Sequence, residues 1–70
     1  MKIEGSIRAN LISAISSAQR WRGQKVHRET LEYWKQVLDH GRRISTNPLG
    51  EPVGDLVVRL ETELTHARAR

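Results

Sequence analysis

The chain has 70 residues, 12 Lys or Arg against 8 Asp or Glu, a formal net charge of +4, and no cysteine. That length supports one hydrophobic core, so residues 1–70 are expected to form a single domain. The lack of cysteine excludes disulfides and thiolate metal ligands.

The first helix is expected over residues 7–22. Ile7, Leu11, Ala14, Ala18 and Trp21 recur at alternating steps of four and three, which is a heptad seam. Ile12 and Ile15 lie beside it and widen it. Ser6 is the expected N-cap through its hydroxyl, and Ile3 is placed to fold back onto the first turn. Gly23 and Gln24 mark the break that follows.

The second helix is expected over residues 28–44, with Leu31, Trp34, Val37, Leu38, Gly41 and Ile44 as its stripe. Glu29 and Glu32 near its start, and Arg42 and Arg43 at its end, suit the helix dipole. Gly41 has two readings: close approach of another helix, or an early helix end. Residues 45–54 hold two prolines, two glycines and the Asn47-Pro48 pair, which makes them a loop. The third helix is expected over residues 53–68, with Pro52 in or near its first turn. Its stripe is Val53, Val57, Leu60, Leu64 and Ala67. No segment alternates at period two for long enough to predict a strand.

These patterns predict an all-α fold, an antiparallel helical hairpin plus a third helix in a three-helix, bundle-like arrangement. Ile12, Ile15, Tyr33, Ile44, Leu49 and Val58 exceed what one such seam needs, so self-association, as a homodimer for example, or a protein partner is expected.

The densest charge lies between Arg20 and Arg28. Arg20, Arg22, Lys25 and Arg28 fall in nine positions with no acid before Glu29, and Trp21 and Gly23 sit among them. Residues 1–43 carry nine Lys or Arg against four Asp or Glu, while residues 44–70 carry three against four. The basic character therefore belongs to the first two helices and the elbow between them. Such a patch can bind phosphates, or it can be a solvated corner whose long side chains cover apolar groups. Glu29 and Glu32 count against a helix-turn-helix reader, and Tyr33-Trp34 on one helix do not form the spaced aromatic platform of strand-based RNA binders.

Catalytic and metal chemistry find no support. His27, His40 and His66 lack ligand spacing, and Ser13, Ser16 and Ser17 lack a nearby base. Glu32–Lys35, Asp55–Arg59 and Arg59–Glu63 have the spacing of ordinary helix-surface pairs. No enzyme activity, cofactor or small-molecule substrate is expected. No window approaches the roughly 18 apolar residues of a membrane span, and Glu4 and Gly5 interrupt the start of any secretory leader. A soluble, cytoplasmic protein without membrane contact is therefore expected.

The leading functional expectation is a small regulatory or adaptor protein making helix–helix contacts through Ile12, Ile15, Tyr33 and Trp34. The alternative is a DNA- or RNA-binding regulator using Arg20, Arg22, Lys25 and Arg28.

Overall fold

A computed structural model describes residues 6–69 of the chain. Three packed helices dominate it: α1 (Ile7–Arg20), α2 (Arg28–Ser45) and α3 (Gly54–Thr65). Each helix contacts the other two. Two short strands join them, β1 (Lys25–Val26) between α1 and α2, and β2 (Arg68–Ala69) after α3. No helix among the described residues is long and apolar enough to cross a membrane.

The seam of α1 is buried as its spacing predicts: Ile7, Leu11, Ala14 and Ala18 all face the core, and Ile15 joins them. Ser6 takes an extended N-cap conformation, and its carbonyl accepts from the Asn10 N–H at 3.0 Å. Its hydroxyl makes no capping bond, contrary to expectation. Ser6 is exposed, so water can serve the first-turn amides instead. Ile3 lies outside the described residues. The helix stops at Arg20, two residues early, and Trp21 becomes its C-cap. Leaving helical register takes Trp21 off the seam, and it stays 44% exposed.

The stripe of α2 packs as read, with Trp34, Val37, Leu38 and Gly41 buried, and Leu31 and Ile44 half-buried against the core. Gly41 resolves in favour of close approach. A Cβ there would lie 3.0 Å from Val57 Cγ2 of α3 and 3.1 Å from Leu11 Cδ2 of α1, so the three helices meet where α2 has no side chain. The loop after α2 turns on Asn47, whose carbonyl accepts from the Gly50 N–H at 2.9 Å and whose side chain accepts from the Leu49 N–H at 3.0 Å.

The third helix is shorter at both ends than its pattern implies. Val53 is the N-cap and is 1% exposed, which leaves Pro52 one residue outside. Val57 and Leu60 fill the core, and Leu64 and Ala67 are half-buried. The chain leaves helical conformation after Thr65 to form β2, which pairs in parallel with β1: Lys25 opposite Arg68, and Val26 opposite Ala69. Two-residue strands carry no periodicity, and tertiary packing creates this pairing.

Contacts at both ends show that α1 and α3 run in the same sense. Arg8, in the first turn of α1, donates to the Pro52 carbonyl at 3.2 Å and pairs with Glu51 at 3.8 Å. Arg22, just past α1, pairs with Glu63 near the end of α3. Arg42 of α2 pairs with Glu61 of α3.

The Gly41 contact gives a direct test. Gly41→Leu overpacks the point where three helices meet and is expected to destabilise the fold by about 1–3 kcal/mol. Gly54→Ala meets no atom within 4 Å and should leave stability unchanged or raised. Urea midpoints of the two variants check the contrast.

Candidate functional site

The basic segment becomes a corner because of one turn. The Gln24 N–H donates to the Trp21 carbonyl at 3.0 Å, closing a four-residue turn. Its third residue takes φ 83°, and glycine, Gly23, stands there. The chain then enters β1, where Val26 is buried and Lys25 exposed.

The corner is tied down by Glu63. This carboxylate is 6% exposed at the end of α3, the one charged side chain buried among the described residues. Arg22 Nη2 donates to both of its oxygens, at 2.7 and 2.6 Å, and Arg22 Nε donates at 3.2 Å. These bonds hold the Glu63 carboxyl below the usual carboxylate range; burial opposes them, while the Arg22 charge, a Gln19 hydrogen bond and nearby His66 reinforce them. The expected Arg59–Glu63 pair therefore does not form, because Glu63 turns toward α1. Arg59 makes no ion pair among the described residues, and neither the Asp55–Arg59 nor the Glu32–Lys35 spacing yields one.

The pairing of β2 with β1 then adds a cation that sequence spacing could not place. Arg68 lies opposite Lys25, 43 positions away in the chain. Arg22, Gly23, Thr65, His66 and Arg68 line a cleft on one side of the turn. Trp21, Lys25, Val26, His27 and Thr30 line another. Arg20 and Arg28 are exposed at the facing ends of α1 and α2 and line neither cleft. The corner thus gathers five cations, with Arg22 engaged by Glu63. Two of the three histidines, His27 and His66, also lie here. Among the described residues, no group of three His, Asp or Glu side chains is arranged to hold a metal ion.

Of the four side chains expected at a partner surface, Ile12 alone stays largely exposed. Ile15 and Trp34 are 5% and 3% exposed, so both are taken up by the chain's own core. Tyr33 is half-buried at the core edge, as its position about 100° from Trp34 requires. Ile12 is 48% exposed. Of the six apolar residues in apparent surplus, Ile15, Tyr33 and Ile44 pack on the core, and Ile12, Leu49 and Val58 stay at the surface. Comparison with protein-family models, curated proteins and solved structures found no significant match.

The depressed Glu63 carboxyl has a definite pH signature. A carboxyl held below its unfolded value stabilises the fold above that value, and this contribution disappears as pH falls through the folded value. Glu63→Gln should therefore cost about 1–3 kcal/mol at pH 7. The gap to wild type should close on acidification through the carboxylate range. Urea unfolding at several pH values reads the gap; one that does not vary with pH contradicts the assignment.

Proposed function

We propose that this chain is a small non-catalytic helical module that binds nucleic acid through its cationic corner. The observation that carries this reading is the parallel pairing of Lys25 with Arg68, which joins a cation from the end of the chain to Arg20, Arg22, Lys25 and Arg28 of the elbow. Clustered cations favour a polyanion because each neutralised phosphate releases condensed counterions. The one buried acid of the corner is already engaged by Arg22, so it does not repel a phosphate as a free carboxylate would.

The docking mode differs from a helix-turn-helix. There the second helix lies in the major groove and reads bases with its N-terminal residues. Here α2 begins Arg28-Glu29-Thr30, with Glu32 one turn on, and its buried stripe is committed to the core. Contact through the turn and the two strands fits the charge distribution better. Of the partner surface expected at Ile12, Ile15, Tyr33 and Trp34, Ile12 alone is largely exposed, which favours the charged corner over it.

A second reading rests on Ile12, Leu49 and Val58, which are 48%, 96% and 65% exposed. Self-association of two copies, each an antiparallel α1–α2 hairpin with α3 packed on it, would cover some of this apolar surface. Sedimentation equilibrium at micromolar concentration separates a monomer from a dimer.

The nucleic-acid reading predicts steep salt dependence. With four or five phosphate contacts, log K should fall against log salt with a slope of about −3 to −4.5. Replacing Arg20, Lys25, Arg28 and Arg68 by Gln should abolish most binding while leaving the unfolding midpoint near that of wild type; Arg22 is kept because it holds Glu63. Fluorescence anisotropy with labelled oligonucleotides measures both quantities. Binding that ignores salt, or survives the four substitutions, contradicts the proposal.

A further inference from the structure

Trp21 is not explained by the fold. It is a large apolar side chain left 44% exposed at the end of α1, flanked in sequence by Arg20 and Arg22. Core tryptophans are placed as Trp34 is, at 3% exposure. Single exposed apolar residues are common on protein surfaces, so exposure alone carries nothing. What distinguishes Trp21 is its setting. It forms a wall of a cleft with Val26 as the buried apolar member, and with Lys25, His27 and Thr30 supplying polar groups around it. The cleft measures about 110 Å³, well below the roughly 300–1,000 Å³ of enclosed small-molecule sites. It suits one flat ring laid against the indole rather than an engulfed ligand.

We infer that the Trp21 cleft takes an unpaired nucleobase, which makes single-stranded nucleic acid the preferred ligand of the corner. The inference rests on the cationic corner binding nucleic acid and names which form it selects. The backbone of the strand runs over Lys25, Arg68 and the exposed arginines, and one base leaves the strand to stack on the indole. Such stacking is sequence-tolerant because every base offers a π face. A duplex keeps its bases paired and stacked, so it gains the phosphate contacts without the stacking contact. Thr30 and Lys25 line the same cleft and can supply polar contacts to a base edge or its neighbouring phosphate.

The test uses the full chain with three probes of equal length: oligo(dT), oligo(rU) and a DNA duplex. Trp21→Ala and Trp21→Phe are the variants; the side chain lies outside the core, so folding should persist, and circular dichroism confirms it. Trp21→Ala should weaken single-strand binding about 5- to 150-fold. Trp21→Phe should weaken it less, and duplex binding should change less than twofold. The salt slope should stay the same in both variants, because stacking releases no counterions. Equal losses for single strand and duplex, or no loss for either, overturn the base-stacking inference while leaving phosphate binding intact. Failure of every probe to bind wild type at low salt overturns the cationic-corner reading and this inference together.

Discussion

A carboxylate can sit against a hydrophobic core only with its charge answered, and the corner of this protein is built around that requirement. Glu63 is 6% exposed, and Arg22 answers it with three hydrogen bonds from a guanidinium that stays half exposed. The pair joins the chain just past α1 to the end of α3. Once those two points are fixed, the segments that follow them, β1 and β2, run side by side. The same pair therefore shapes the fold and places the cations. The geometry also explains why Arg22 differs from its neighbours: its positive charge is answered by Glu63, while Arg20, Lys25, Arg28 and Arg68 make no ion pair among the described residues.

The opposite constraint acts nearer the other end of the helices. There Gly41 lets α2 come within reach of Leu11 and Val57, and both of those side chains are buried. Close packing of small and branched side chains holds that region, with Arg8 reaching from α1 to the Pro52 carbonyl and Glu51 at its rim. Packing is sensitive to volume, whereas the Glu63 end is sensitive to proton and ion concentration. One end sets the bundle, and the other presents a charged surface anchored to the core by Val26 and Glu63.

Helical periodicity made most of the architecture legible in the sequence. Ile7, Leu11, Ala14 and Ala18, and then Trp34, Val37, Leu38 and Gly41, face the core as their spacing requires. The pattern misled where the chain stopped being helical. Trp21 continues the heptad on paper, but the turn at Gly23 removes it from the seam. Ala67 and Arg68 likewise extend the last helical pattern on paper, although the helix ends at Thr65. Ile15 and Trp34 illustrate another limit: periodicity shows which residues are apolar on one face, not whether that face meets the same chain or another. The Arg20–Arg28 charge cluster was visible by counting, but Arg68 beside Lys25 was not, since nothing local relates positions so far apart. Glu63 was hidden for the same reason. Its helical spacing from Arg59 suggested a surface pair, and only tertiary packing supplies the stronger partner across the bundle.

The corner is a discontinuous surface, built from the elbow and the β2 segment, that neither segment forms alone. The elbow brings a turn, an exposed indole and most of the charge. The last strand brings Arg68 and closes the edge of β1. Nuclear Overhauser contacts between the two segments test this most directly. The account predicts cross-strand contacts linking Val26 with Ala69 and Lys25 with Arg68 in parallel register, in the free protein at neutral pH. Random-coil shifts for residues 66–69, with no contacts to residues 25–26, would contradict it.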